Sequence, residues 1–164
     1  MHLRDYSGSD DGRLASLLPS LTRYTTLPAV DRLTLSSWQS STGPAGSECG
    51  PYGATYGLDS ASRVLSWDEC LADSQGVYRL RRGSRTVTEN ERTLVLVTLA
   101  LLAPGTSSSG SCPTTPPFSL LVEAAGATTR YVSDSWAACD PLPEGTFIRN
   151  LYEMTILQTL ARKT

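Results

Sequence analysis

Histidine is almost missing from this 164-residue chain: His2 is the only one. Ser-His-Asp and Cys-His nucleophilic sites both need an imidazole beside the nucleophile, so neither is expected. Lysine is equally scarce, with Lys163 alone against thirteen arginines. A Ser–Lys dyad needs a buried lysine, and a residue one position from the end is poorly placed for that. The arginine bias reads as the mark of a GC-rich genome rather than of a function. The sequence has no G-x-x-x-x-G-K-[ST] and no G-x-G-x-x-G, so no backbone cradle for phosphate is signalled. The glycines of GSECGPYG (46–53) read as turn chemistry.

Other absences narrow the field further. None of the four cysteines falls in a C-x-x-C spacing, which argues against a structural zinc and against a thioredoxin-like dithiol. A calcium loop wants alternating acids, and SGSDDG offers only Asp10 and Asp11. No metal or other cofactor is expected. The longest strongly apolar run, Leu94 to Ala103, is half the roughly 20 residues that a membrane span needs. MHLRDYSGSDDGR at the start lacks the apolar core of a signal peptide. A net charge of −2 provides no field to draw in nucleic acid.

What is present suits one domain with a real core: 40% hydrophobic residues, only 18% charged, and much Ser, Thr, Gly and Pro, as in many exported β-rich proteins. An even set of widely spaced cysteines fits two disulfides, for which three pairings exist. Cys49–Cys70 with Cys112–Cys139 is the preferred one, because each bond then staples one local unit. In the chain-entropy account such loops contribute roughly 3–3.5 kcal/mol each. Disulfides point to an oxidising compartment, extracellular or periplasmic, with the export signal lost from this sequence.

Residues 1–30 read as a leader or linker, and 31–164 as a single α+β domain. Alternation predicts strands in DRLTLSSW (31–38), ATYGLD (54–59), RVLSWDEC (63–70) and Val77–Arg81, with turns at Ser60–Ser62 and Gly83. Thr88 and Glu91 have the T-x-x-E spacing of a capping box, and Pro104-Gly105 supplies a stop, so the apolar stretch between them reads as a buried helix. FSLLVEAA (118–125) and TTRYVSDSW (128–136) read as a hairpin around Gly126. Phe147, Leu151, Met154, Leu157 and Ala161 recur at three and four, which predicts a closing amphipathic helix. The expected fold is therefore an antiparallel β-sheet of about five to six strands with two α-helices packed on one face and two disulfides.

SWDEC (66–70) and SWAAC (135–139) repeat one spacing and suggest a loose structural pseudo-repeat. Each Trp is expected to pack inward, while each Cys lies just past a strand end and bonds back to the loop before its hairpin. Asp68 and Glu69 are adjacent, so a strand sends them to opposite faces and they form no catalytic pair. Trp38, Tyr52, Tyr56 and Trp67 cluster in the first half, and the plainer reading is core packing. RLRRGSR (79–85) is the strongest charge cluster. Arg79 and Arg81 share a strand face and, with Arg82 and Arg85, form the candidate binding surface for carboxylates or phosphates. The competing reading is a solvated edge whose charges block chain-to-chain pairing.

The functional expectation is an exported, non-enzymatic binding or structural domain whose partner is another protein. The alternatives are an inhibitor of a secreted enzyme and a hydrolase that uses carboxylates without histidine. Two disulfides make a simple prediction: no thiol alkylates in the denatured, unreduced protein, and reduction raises the mass by about 4 Da. Four alkylatable thiols before reduction would remove the argument for export.

Overall fold

A computed structural model describes residues 26–37, 43–51, 53–105, 118–133 and 146–163. Cys112, Cys139, Trp38, Trp136, Tyr52 and His2 lie outside these residues, as does the whole SWAAC motif. Of the expected leader, residues 26–30 are described, and Val30 packs against the core.

The elements in chain order are β1 (Arg32–Ser37), β2 (Ala54–Asp59), β3 (Val64–Ala72), β4 (Tyr78–Thr86), α1 (Glu89–Ala100), β5 (Phe118–Ala124), β6 (Ala127–Ser133), β7 (Phe147–Ile148), a 3₁₀ turn (Leu151–Thr155) and α2 (Ile156–Ala161). They form one seven-stranded sheet in the order β4-β3-β2-β1-β5-β6-β7. All neighbours are antiparallel except β6 and β7. The sheet is thus a β1–β4 meander extended from its first strand by the β5–β6 hairpin.

Period-two alternation assigns one face of this sheet to the helices. Leu33 and Leu35 of β1, Tyr56 and Leu58 of β2, Leu65 of β3 and Leu120 of β5 are buried. They join Val95 of α1 with Leu151, Met154, Leu157, Leu160 and Ala161 of the C-terminal turns in one core. Trp67 packs against the same core, as expected. The opposite face carries Thr34, Ser36, Ser66, Asp68, Ser84 and Ser119, the polar pattern of a sheet with one solvated side.

Three expectations need correction. The sheet has seven strands rather than five or six, because Phe147–Ile148 is a short strand and not the start of a helix. Thr146 and Phe147 accept backbone hydrogen bonds from Val132 and Gly105, and Arg149 donates one to Ala103. Asn150 then ties the end of α1 to this corner, accepting from the Ala103 amide at 2.8 Å and donating to the Leu101 carbonyl at 3.2 Å. The i, i+4 pair Phe147/Leu151 imitates a helix, but tertiary pairing takes the first of the two into the sheet.

Gly83 makes no turn. It lies mid-way along the nine-residue β4, opposite Trp67. A Cβ there would overlap the Trp67 ring at Cζ2, so glycine is present because the indole occupies that space. Cys70, finally, is inside β3 rather than beyond its end, since the strand runs on to Ala72.

The capping box forms as the sequence indicates. The Glu91 amide donates to Thr88 Oγ1 at 3.2 Å and the Thr88 amide to Glu91 Oε2 at 2.9 Å. Glu91 also accepts from Arg85 Nη1 and Nη2 at 3.1 and 3.0 Å and pairs with Lys163 at 3.3 Å. Burial works against the charge, but the Arg85 hydrogen bonds, the Thr88 amide and Lys163 outweigh it and hold the carboxyl at about 2, below its ordinary 4.5. A folded-state value below the unfolded one stabilises the fold above pH 4.5 and loses that contribution as pH falls toward 2. Urea titrations from pH 6 to 2.5 are expected to show this loss, with a shallower pH dependence in Glu91→Gln.

Candidate functional site: a cleft over a buried carboxylate

The α2 helix covers the sheet only in part. Beyond it, at the end where β1 and β3 finish and β2 and β5 begin, lies a cleft of about 340 Å³. Leu35, Ala54, Leu71 and Phe118 supply apolar wall, and Tyr56, Glu69, Gln158 and Arg162 supply polar groups.

Alternation along β3 places Glu69 there. Leu65, Trp67, Glu69 and Leu71 share the helix-facing side, so the acid of the pair turns under α2 while Asp68 turns to solvent. Glu69 is only 1% exposed. The Tyr56 hydroxyl, one strand away, donates to its Oε1 at 2.5 Å, and Arg162 Nε donates to the same oxygen at 3.0 Å. With its amide oxygen turned to the guanidinium, Gln158 accepts from Arg162 Nη2 at 2.7 Å and so orients it. Burial, then the hydrogen bond and charge of Glu69, push the Tyr56 phenol far above its ordinary 10, so it stays protonated as a donor. Glu69 Oε2 has no donor among the described residues.

The cysteine expectation holds for the first pair. Cys49 and Cys70 form a disulfide with Cα atoms 5.9 Å apart. Cys70 points to the face opposite Glu69, so the bond draws residues 43–51 over that face and the adjoining edge. Ser47 Oγ accepts from the Tyr78 amide at 3.1 Å, the Glu48 amide donates to the Tyr78 carbonyl at 2.9 Å, and Glu48 Oε2 accepts from the Leu80 amide at 3.1 Å. The loop thus caps the first part of the outer edge of β4.

The structure does not bring the four arginines together on one face. Arg79 pairs with Glu48 at 3.4 Å and Asp73 at 3.3 Å. Arg82 lies on the opposite face against Asp68 at 3.4 Å, with both side chains more than half exposed. Arg85 turns inward to Glu91 and donates to the Leu160 carbonyl at 2.8 Å. Arg81 has no ion pair among the described residues. Arg79 and Arg85 are therefore structural, while Arg81 and Arg82 remain at the edge with their charges accessible.

The sequence reading passed over Tyr56, Glu69, Gln158 and Arg162 as a group. The signal was present for one of them: extending the Leu65/Trp67 alternation by two marks Glu69 as an acid on a core face. No group of three or more His, Cys, Asp or Glu side chains is placed to hold a metal ion among the described residues. No helix of these residues is long and apolar enough to cross a membrane. The chain matches no known protein-family model, no curated protein and no solved structure.

Tyr56→Phe keeps the ring and removes one of the two donors to Glu69. It is expected to destabilise the protein by about 1–3 kcal/mol in urea unfolding near neutral pH. An unchanged midpoint would show that the hydrogen bond contributes nothing net.

Proposed function

We propose that the chain is an exported, non-enzymatic binding or structural domain that meets another protein along the open part of β4. The observation that carries this reading is the half-covered edge. Even-numbered residues of β4 turn their backbone groups away from β3, as Tyr78 and Leu80 do toward the Ser47–Glu48 loop. The same parity aims the amides and carbonyls of Arg82 and Ser84 outward, and they meet no backbone partner among the described residues. Such a row is a template on which an extended partner segment adds a strand.

Arg81 and Arg82 favour an acidic segment there and disfavour pairing with a second copy of β4, which brings its own arginines. The Cys49–Cys70 bond fits an oxidising compartment, because such bonds persist outside the reducing cytosol. An inhibitor of a secreted enzyme is one form of this reading. The carboxylate hydrolase has weaker support, since Glu69 is the one carboxylate among the described residues that line the cleft and it is engaged by Tyr56 and Arg162.

A titration of the ¹⁵N-labelled protein with a blocked heptapeptide alternating Glu and Val tests the edge. The expected result is saturable shifts of the Arg82, Ser84 and Thr86 amides. A Lys/Val peptide is expected to leave them in place, and the R81E/R82E double variant to exchange the preference. No shift on β4, or equal response to both peptides, overturns the proposal.

A further inference from the structure

We infer that the cleft above Glu69 binds a small neutral molecule with an apolar body and an N–H or O–H donor. This site is separate from the β4 edge and does not depend on the reading given to it.

No described residue donates to the second carboxylate oxygen of Glu69. Both donors that reach Glu69, the Tyr56 hydroxyl and Arg162 Nε, go to Oε1. Oε2 has none among the described residues, although the residue is 1% exposed and lines the cleft. Buried carboxylate oxygens are ordinarily hydrogen-bonded, so a donor arriving through the cleft completes this one. The Tyr56 phenol is already turned toward Glu69, and Gln158 holds the guanidinium. The acceptor is thereby fixed in place before any ligand arrives, which reduces the ordering that binding requires.

Charge selects the head group. Glu69 and Arg162 balance one another. Arg162 is the guanidinium among the described residues that line the cleft. An ammonium would approach the Arg162 guanidinium, and a carboxylate would approach Glu69. A neutral donor meets the open oxygen without either repulsion. The walls select the body: Leu35, Ala54, Leu71 and Phe118 form the apolar side of the cleft. About 340 Å³ is at the small end of ligand sites. It holds roughly ten non-hydrogen atoms at about 30 Å³ each, the share of a water in the liquid.

Indole fits these terms, since it is neutral, compact and a donor only. The full oxidised protein, ¹⁵N-labelled, is titrated with indole, 1-methylindole, tryptamine and indole-3-acetate. Indole is expected to give saturable shifts at the Glu69 and Leu71 amides and at Arg162 Nε–H. The N-methyl compound, which lacks the donor, and both charged compounds are expected to bind at least fivefold more weakly. Glu69→Gln presents an N–H₂ in place of Oε2 and is expected to reduce indole binding by a similar factor, with the amide spectrum confirming the fold. If that variant does not fold, the comparison of indole with its N-methyl derivative on the wild-type protein decides the question alone. Absence of saturable shifts with indole, equal binding of 1-methylindole, or undiminished binding to a folded Glu69→Gln overturns the assignment.

Discussion

Along β3, one register decides the core, the cleft and the disulfide together. Leu65, Trp67 and Glu69 turn toward the helices, and Asp68 and Cys70 turn away from them. A slip of one residue would send Asp68 and Cys70 under α2 and Glu69 into solvent, since side chains alternate with a period of two. Trp67 and Gly83 guard against that slip. The indole needs a position without a Cβ on β4, and glycine occurs once in that strand. The Cys49 linkage guards it from the other face, because a slipped Cys70 could no longer meet its partner.

Among the described residues two acids are buried, Glu69 under α2 and Glu91 in the first turn of α1, and they are held differently. Glu91 accepts from the Thr88 amide and from two Arg85 nitrogens and pairs with Lys163, so it links the start of α1, the edge strand β4 and the end of the chain. Its partners account for both oxygens, and its role is cohesion. Glu69, which lines the cleft, is held at one oxygen by groups from β2 and from the residue that follows α2, while its other oxygen has no donor among the described residues. The two carboxylates thus differ in how many of their oxygens the described residues satisfy. Removing Arg162 would leave Glu69 with a buried charge and one neutral donor, the situation in which buried ion pairs are most costly to break.

Local chemistry was legible where a few neighbouring residues settle it. The β1 to β3 strands follow their alternation, the capping box follows from Thr88 and Glu91, and the Gly126 hairpin follows from its turn. The pairing of Cys49 with Cys70 followed from the idea of a local staple. Features set by distant neighbours were not legible. Gly83 reads as a turn until Trp67 is seen above it, and Phe147 reads as helix until β6 pairs with it. The cleft joins residues 56, 69, 158 and 162, whose separations carry no periodic signal. The arginine cluster was legible as a cluster, but its division was not, because the partners of Arg85 come from α1 and the chain end.

The S-W-x-x-C spacing has a mechanical explanation at residues 66–70. Two residues three apart on a continuous strand lie on opposite faces. The motif therefore places a large apolar group in the core and a cysteine on the far side with a single stretch of chain. Trp67 packs against the core and selects glycine on the next strand. Cys70 holds the loop that caps the start of β4. The core and the loop are thus coupled through four residues of one strand, Trp67 to Cys70. Reduction of the bond would act first on the loop, uncovering the backbone groups of Tyr78 and Leu80 and lengthening the open edge at its start. The disulfide thereby limits how much of the outer edge of β4 is left uncovered, and β3 links that limit to the core.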